Sequence, residues 1–149
     1  MSAIEDGTAT TRLNPETEDR FLALRRELGV TSFGMNQIVL QPGQRGRIHR
    51  HRAQEEVYLV LEGTLTILIE AEATDLSEGE LIRVAPRIRR QLVNRGPDRL
   101  VLLALGGAVE HRGRDGEAFK AWSDEHPVAP QELPMPPDLD PAELRQNQS

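Results

Sequence analysis

Two histidines separated by a single residue are the strongest candidates for chemistry in this sequence. On a β-strand, His49 and His51 would project from the same face, because successive side chains alternate. Two neutral imidazoles side by side can bind one divalent cation, and a carboxylate from a neighbouring strand can complete the site. Such a set suits Fe(II), Mn(II), Ni(II) or Zn(II) and leaves positions open for water or substrate. The competing interpretation is an exposed pair on a polar strand that binds nothing.

Two adjacent glutamates, Glu55 and Glu56, follow this pair and could supply the carboxylate. Alternation places Glu55 on the face of Val57 and Leu59, which is the more apolar of the two sets. Glu56 shares its face with Tyr58. A strand within a β-sandwich can be covered on both faces, so alternation alone leaves the choice open.

The composition of the chain excludes several classes of protein. Its 149 residues carry 18 Lys and Arg against 24 Asp and Glu, a net charge of −6, and few aromatic residues. This balance argues against a partner that is a nucleic acid. The absence of cysteine excludes disulfides, thiolate metal sites and cysteine nucleophiles. The sequence has neither a secretory signal nor an apolar run long enough to span a bilayer, so we expect a cytoplasmic protein without membrane contact.

The centre of the chain is rich in short apolar runs that are separated by turn residues. Many short strands at near-regular spacing, with no long helix between them, predict an all-β, antiparallel sandwich or barrel. The predicted strands are 31–41, 47–51, 57–61, 64–70, 81–84, 91–94 and 100–105.

The two ends of the chain have a different character. Asn14 and Pro15 are typical of a helix start and Gly29 of a helix end, so an amphipathic helix of about four turns is predicted. A short helix is predicted near 117–122, and the proline-rich segment that follows is predicted to be wrapped or disordered. The expected division is an arm and helix over 1–30, a β-barrel over 31–106, and a short helix with a proline-rich tail over 107–149. The remaining histidines, His111 and His126, are interpreted as surface residues.

The histidine pair belongs to a longer pattern. Gly43, five residues, His49-x-His51, four residues, Glu56, six residues and Gly63 together resemble the first sequence motif of the cupin superfamily. This resemblance implies a small double-stranded β-helix, or jelly roll, and a homodimer formed by sheet packing. It also favours Glu56 over Glu55, and it implies that the metal ligands are His49, His51 and Glu56.

The second cupin motif is altered in this chain. Gly79 and Asn94 hold their places, but Arg90 stands where the family has its fourth ligand, a histidine. Arginine cannot bind a cation, since its guanidinium stays protonated. Three interpretations follow. The site binds a metal through His49, His51 and Glu56 with Arg90 turned aside, Arg90 replaces the metal by pairing with Glu56, or Arg90 holds an anionic ligand.

The resemblance leaves the function open, because the cupin barrel hosts isomerases, dioxygenases, lyases and non-enzymatic sensors. The leading hypothesis is a metal-dependent enzyme of dioxygenase or isomerase type that acts on a small, anionic molecule. Arg90, Arg47 and Tyr58 are its candidate substrate-binding residues. The alternative is a non-catalytic, small-molecule-binding or regulatory cupin without a metal, in which Arg90 has closed the site. A structural role in a larger assembly is a third interpretation.

Overall fold

The computed structural model describes residues 7–108 and 115–145. Within them, ten strands and one short α-helix, α1 (Leu24–Leu28), form the body of the molecule. The strands are β1 (Phe21–Ala23), β2 (Gly34–Leu40), β3 (Ile48–His51), β4 (Glu55–Glu62), β5 (Leu65–Ile69), β6 (Glu72–Leu76), β7 (Leu81–Val84), β8 (Arg90–Val93), β9 (Leu100–Gly107) and β10 (Gly116–Phe119). No helix among these residues is long and apolar enough to cross a bilayer.

The strands form two five-stranded antiparallel sheets. The first sheet has the order β1-β2-β9-β4-β7, and the second has the order β10-β3-β8-β5-β6. From β2 to β5 and again from β7 to β10, consecutive strands alternate between the two sheets, which is the connectivity of a jelly roll. The two sheets stay separate rather than closing into a continuous barrel. The prediction of an all-β jelly-roll fold is confirmed.

The space between the sheets is filled mainly by aliphatic side chains. Leu40, Leu100 and Leu102 from the first sheet pack with Leu65 and Ile67 from the second, and all five are fully buried. Each such side chain contributes roughly 1.5–3 kcal/mol relative to an exposed position. The sheets are therefore held together by the aliphatic side chains on their facing sides.

Two motif residues maintain turns rather than touch the site. Gly63 joins β4 to β5 with φ +84°, and a side chain there would clash with the carbonyl oxygen of Arg99. Asn94 is fully buried, and its amide nitrogen donates to the carbonyls of Leu40 at 2.8 Å and Asp98 at 2.9 Å. Both residues fix the backbone from which the strands of the site continue.

The predicted N-terminal helix is wrong in extent. Only Leu24–Leu28 is helical, although Gly29 ends it in the left-handed conformation as expected (φ 73°). The preceding segment, Phe21–Ala23, is instead an edge strand paired with β2. Asn14 is bonded through its N–H and C=O to the side-chain amide of Gln37, at 2.6 and 2.8 Å. The β2 edge and the buried amide offer hydrogen bonds to an extended chain that override the local helix signals.

The predicted short helix near 117–122 is also wrong. Gly116–Phe119 forms β10, which pairs with β3 directly beside His49 and His51. Strand β6 was likewise not predicted. The sheets thus include β1 and β10, which lie outside the expected barrel range of 31–106, and His111 lies outside the described residues.

The proline-rich tail wraps around the two sheets. Of the two predicted alternatives, wrapped or disordered, the described part of the tail takes the first. Its backbone reaches the first cupin motif where the N–H of Leu139 donates to the carbonyl of Gly43 at 2.8 Å. At its far end, the N–H of Arg145 donates to the carbonyl of Arg95 at 2.6 Å, and its guanidinium lies 2.7 Å from the carboxylate of Asp75. The tail is therefore fastened at several points.

The contact between Arg145 and Asp75 should hold the end of the tail at neutral pH and release it only when the pH falls below the ordinary pKa of an aspartate. Burial raises the pKa of Asp75. Hydrogen bonds from Thr66 and Arg145 and the charge of Arg145 have the larger, opposite effect, and together they bring this pKa below its ordinary value. A carboxyl with a lowered folded-state pKa stabilises the folded state above its unfolded pKa of about 3.9 and loses this contribution as the pH falls through the lowered value.

The measurement is the hydrogen-exchange protection factor of the Arg145 amide. In the Asp75→Asn variant, protection at neutral pH should fall by about threefold, the effect of a partly exposed ion pair. Glu72→Gln, on an exposed carboxylate of the same strand β6, serves as the control. Equal protection in Asp75→Asn and the wild type would show that this contact does not hold the tail.

Candidate metal centre

The two histidines and the glutamate approach one another from opposite sheets. His49 and His51 lie on β3 of the second sheet, and Glu56 lies on β4 of the first. Their side chains all point into the space between the sheets, where they line one cavity. The sequence-predicted ligand set is thus brought together only when the sheets pack.

The three side chains present donor atoms at distances that suit a metal ion. The Nε2 atoms of His51 and His49 lie 3.1 and 3.5 Å from Oε1 of Glu56, and one donor atom from each residue lies within 4.8 Å of the others. Two donors that each bind a metal at about 2.1 Å are about 3.0 Å apart at a right angle and about 3.4 Å apart at a tetrahedral angle. The donor set therefore fits a divalent cation.

The hydrogen bonds of the imidazoles favour the same conclusion. Nδ1 of His49 donates to the carbonyl oxygen of Arg47 at 3.1 Å, which leaves its Nε2 lone pair free to bind a metal. Both ring nitrogens of His51 are buried without a hydrogen-bond partner of good geometry among the described residues. Buried polar atoms are rarely left in this state, and a bound cation would satisfy one of them.

Asp115 is a site residue that the sequence analysis missed. One of its carboxylate oxygens lies 4.0 Å from Nδ1 of His51 and accepts hydrogen bonds from the N–H groups of Ala53 and Gln54, each at 2.8 Å. Burial raises the pKa of Asp115, but these backbone hydrogen bonds contribute to lowering it below its ordinary value. The ionised carboxylate thus shapes the link between β3 and β4 and faces one ligand from behind. No local motif marks it, since only the pairing of β10 with β3 brings it there.

The structure decides between the two adjacent glutamates. Glu56 points inward, whereas Glu55 is exposed and lies 2.6 Å from the guanidinium of Arg83. The apolar set of Val57 and Leu59, which alternation groups with Glu55, lies on the outer face of the first sheet. The spacing to Gly63 was therefore the better guide.

Oε1 of Glu56 is the point on which the surrounding polar groups converge. Besides the two histidines, the hydroxyl of Tyr58 donates to it at 2.5 Å. Burial raises the pKa of Glu56, but the neighbouring His49 and His51 lower it well below its ordinary value. Burial and the neighbouring carboxylate raise the pKa of Tyr58 well above its ordinary value. Glu56 is thus an ionised carboxylate, and Tyr58 is the neutral donor that orients it.

Arg90 lies behind the site rather than in it. It is paired with His49 across the strands and is fully buried, and its Nε lies 3.8 Å from Glu56. Its terminal nitrogens donate to three main-chain carbonyls, those of Val84 (3.4 Å), Ala85 (3.1 Å) and Pro86 (3.4 Å). With its head turned to these carbonyls, Arg90 does not line the cavity. This geometry favours the interpretation in which Arg90 is turned aside and argues against its direct contact with a ligand.

The cavity in front of the histidines is small and has one cation in its wall. Its volume is about 160 Å³, and Arg47 is the only lysine or arginine among its lining residues. The Nε of Arg47 donates to the carbonyl of Leu133 in the tail at 2.8 Å, which fixes the guanidinium beside the site. Phe21 and Asn36, which the sequence analysis did not single out, also line this space. Arg47 is therefore the one cation that an anionic group in the cavity could contact among these lining residues.

The chain is similar in fold to several solved structures of other proteins. Three solved structures resemble the chain: a cupin protein from Bacteroides fragilis (22% identity, 69% of this chain and 86% of that one, TM-score 0.61), a sugar phosphate isomerase of the cupin superfamily from Silicibacter pomeroyi (20%, 81% and 82%, 0.59), and a cupin-like protein from Thermotoga maritima (19%, 70% and 77%, 0.57). At these identities the likeness concerns the fold. No curated protein sequence matches the chain significantly.

The family assignment rests on the sequence as well as on the fold. Residues 36–106 match the family model described as the cupin domain, Cupin_2. This range runs from β2 to β9 and contains the three converging ligands. These residues therefore form a cupin domain, and its jelly roll carries the cluster of His49, His51 and Glu56.

Proposed function

We propose that this cupin is a metal-dependent enzyme that binds one divalent cation through His49, His51 and Glu56 and acts on a small anionic molecule. The observation that carries the proposal is the convergence of three donor atoms at the wall of a cavity that also contains the guanidinium of Arg47. A ligand set of two histidines and one carboxylate leaves coordination positions for a substrate.

Each residue of the site has a role in this proposal. A bound divalent cation supplies a Lewis acid that polarises an oxygen of the substrate. Tyr58 holds Glu56 in its binding orientation, and the carbonyl of Arg47 keeps the Nε2 of His49 unprotonated. The Arg47 guanidinium orients the anionic group, and the apolar walls exclude bulk water. Asp115 places a negative charge 4.0 Å behind the ring of His51.

The size of the cavity limits the substrate class. At about 160 Å³ it is smaller than typical ligand pockets of about 300–1,000 Å³, so a small molecule or only its reacting end is enclosed. The Silicibacter pomeroyi structure is named a sugar phosphate isomerase, which makes phosphorylated sugars the first class to test. Their hydroxyl and carbonyl oxygens suit a cation, and their phosphate suits Arg47.

A second candidate function is a non-catalytic small-molecule-binding cupin. The observation that favours it is the full burial of Arg90 at the position of the missing fourth ligand, 3.8 Å from Glu56. In that case Arg90 supplies the positive charge that a metal would otherwise bring. The two candidates differ in whether the purified protein holds a stoichiometric metal ion.

The protein forms a homodimer in this proposal, through the outer face of the first sheet. Val57 and Leu59 of β4 lie side by side with Leu105 and Leu103 of β9 on this face, and Leu81 on β7 is 60% exposed. An apolar sheet face of this kind is typical of an interface between subunits. At its margin, Glu55 and Arg83 offer one charge of each sign, so a second copy related by a two-fold axis could exchange these partners.

The metal site can be tested with the two adjacent glutamates as a matched pair. Untagged wild-type protein should contain about one divalent ion per chain by elemental analysis. Glu56→Gln should lower the affinity for added Mn²⁺ or Zn²⁺ by about a hundredfold, because it removes an anionic ligand. Glu55→Gln should bind as the wild type does, because Glu55 lies on the outer face.

One result would favour the non-catalytic candidate instead. If the wild type binds no metal and the Arg90→His variant gains one ion per chain, Arg90 acts as the substitute for the cation. Circular dichroism and the urea midpoint of each variant would show that the proteins compared are folded.

The role of Arg47 can be tested separately from metal binding. Arg47→Met should weaken the binding of a sugar phosphate to the metal-loaded protein by about tenfold or more, because a charge-assisted hydrogen bond is lost. Arg47→Lys should recover part of the affinity, and metal content should stay unchanged in both variants. Isothermal titration with aldose and ketose phosphates gives the measurement, and equal affinity of Arg47→Met and the wild type would exclude Arg47 as the anion-binding residue.

The dimer can be tested by placing a charge on its proposed interface. Leu81→Lys should shift the molar mass measured by light scattering from twice the chain mass of 16.7 kDa toward a single chain, because an unpaired charge would be buried. Leu13→Lys is the matched control, since Leu13 is also exposed but lies on the N-terminal arm. A wild type that is monomeric at all concentrations would contradict the proposal.

A further inference from the structure

A second and larger cavity lies outside the barrel, between the outer face of the second sheet and the proline-rich tail. Its volume is about 430 Å³, compared with about 160 Å³ for the barrel cavity. We call it the side groove. Ile48 and Phe119 form its floor on β3 and β10, and residues 133–137 of the tail form its opposite wall. Its volume lies within the range of sites that enclose a small organic molecule.

The walls of the side groove are held by specific contacts. The Nε of Arg45 donates to the carbonyl of Pro137 at 3.0 Å, and the Nε of Arg47 donates to that of Leu133 at 2.8 Å. Three of the five residues in the segment 133–137 are prolines, which restrict the backbone and lack N–H donors. The tail segment thus presents an open groove instead of collapsing onto the sheet.

The aromatic side of the groove is also fixed. Trp122 lines it, and Arg89 donates to the carbonyl of Trp122 at 2.8 Å while its guanidinium lies 5.7 Å from the centre of the indole ring. Phe119 is buried beneath, with the guanidinium of Arg50 5.0 Å from its ring centre. Both rings therefore keep a defined position against which a flat apolar body could pack.

All the charged side chains that line the side groove are positive. Arg45, Arg47 and Lys120 line it, and no aspartate or glutamate does. Within the described residues, none of these three cations has a carboxylate within 4 Å, whereas the nearby Arg50 and Arg87 both contact Glu117 at about 3 Å. In a chain of net charge −6, three unpaired cations around an apolar floor form a local site for an anion.

We propose that the side groove binds a small amphipathic anion. Its aromatic or aliphatic body would lie against Ile48, Phe119 and Trp122, and its carboxylate or phosphate would face Arg45 and Lys120. These contacts involve the outer face of the sheet, whereas the metal centre lies on the inner face. Arg47 lines both cavities and is therefore not among the contacts proposed here.

The test uses a built-in reporter, because Trp122 is the only tryptophan of the chain. The probe is 8-anilinonaphthalene-1-sulfonate, an aromatic anion that accepts energy from tryptophan. The probe should bind saturably at one site per chain and quench the emission of Trp122. Uncharged N-phenyl-1-naphthylamine should bind at least about fivefold more weakly if the cations contribute as much as an exposed ion pair. Displacement by 2-naphthoate or by 2-naphthyl phosphate would distinguish a carboxylate site from a phosphate site.

The variants isolate the charge of the groove. Lys120→Met should weaken probe binding by about threefold to fivefold, whereas Lys120→Arg, which keeps the charge, should bind as the wild type does. Arg26→Met, on an exposed arginine that does not line the groove, controls for net charge. The His49→Ala variant should bind the probe normally, so a failed metal site and a failed side groove give different results.

Three results would overturn the proposal. The first is quenching of Trp122 that neither naphthyl competitor reverses, and the second is equal affinity for the charged and uncharged probes. The third is loss of probe binding when the protein self-associates, which would show that a second copy occupies the groove.

Discussion

The carboxylate of Glu56 joins the two sheets at the centre of the molecule. Burying a carboxylate is costly unless hydrogen bonds and opposite charge compensate. Here Tyr58 donates from the same strand, and His49, His51 and Arg90 approach from the second sheet. The groups that lower the pKa of Glu56 are thus on the sheet opposite to it. Packing of the aliphatic core and assembly of the site are consequently a single event, since neither sheet alone holds the donor set.

Arg90 shows how a fold can keep a site after losing one of its family's ligands. The side chain of arginine is longer than that of histidine. Its guanidinium therefore reaches three carbonyls of the β7–β8 turn. A fully buried cation is tolerated because those carbonyls accept its hydrogen bonds and Glu56 lies 3.8 Å from its Nε. The open side of the cavity is thereby left to Arg47, whose guanidinium is fixed by the tail.

The segments outside the family match complete the surroundings of the site. Strands β1 and β10 pair with the edges of β2 and β3 and supply Phe21 and Asp115. The tail fixes Arg47 and forms one wall of the side groove. These strands are held by main-chain hydrogen bonds at the sheet edges. Any extended segment can form such bonds, whatever its side chains. This is why they carry no recognisable motif.

The sequence by itself determined the parts that depend on local periodicity and spacing. Short apolar runs separated by turn residues indicated most of the strands, and the resemblance of the segment from Gly43 to Gly63 to the first cupin motif identified His49, His51 and Glu56 as a set. Gly29 was recognised as a helix end because a left-handed residue there favours glycine. The tertiary structure alone decided that Phe21–Ala23 and Gly116–Phe119 are strands, that Glu55 faces outward and that Arg90 turns away. For the two strands and for Glu55, the deciding hydrogen bond or charge comes from a residue distant in sequence, and no local pattern contains it. Arg90 bonds to carbonyls only four to six residues away, but only the folded turn after β7 presents them to its guanidinium.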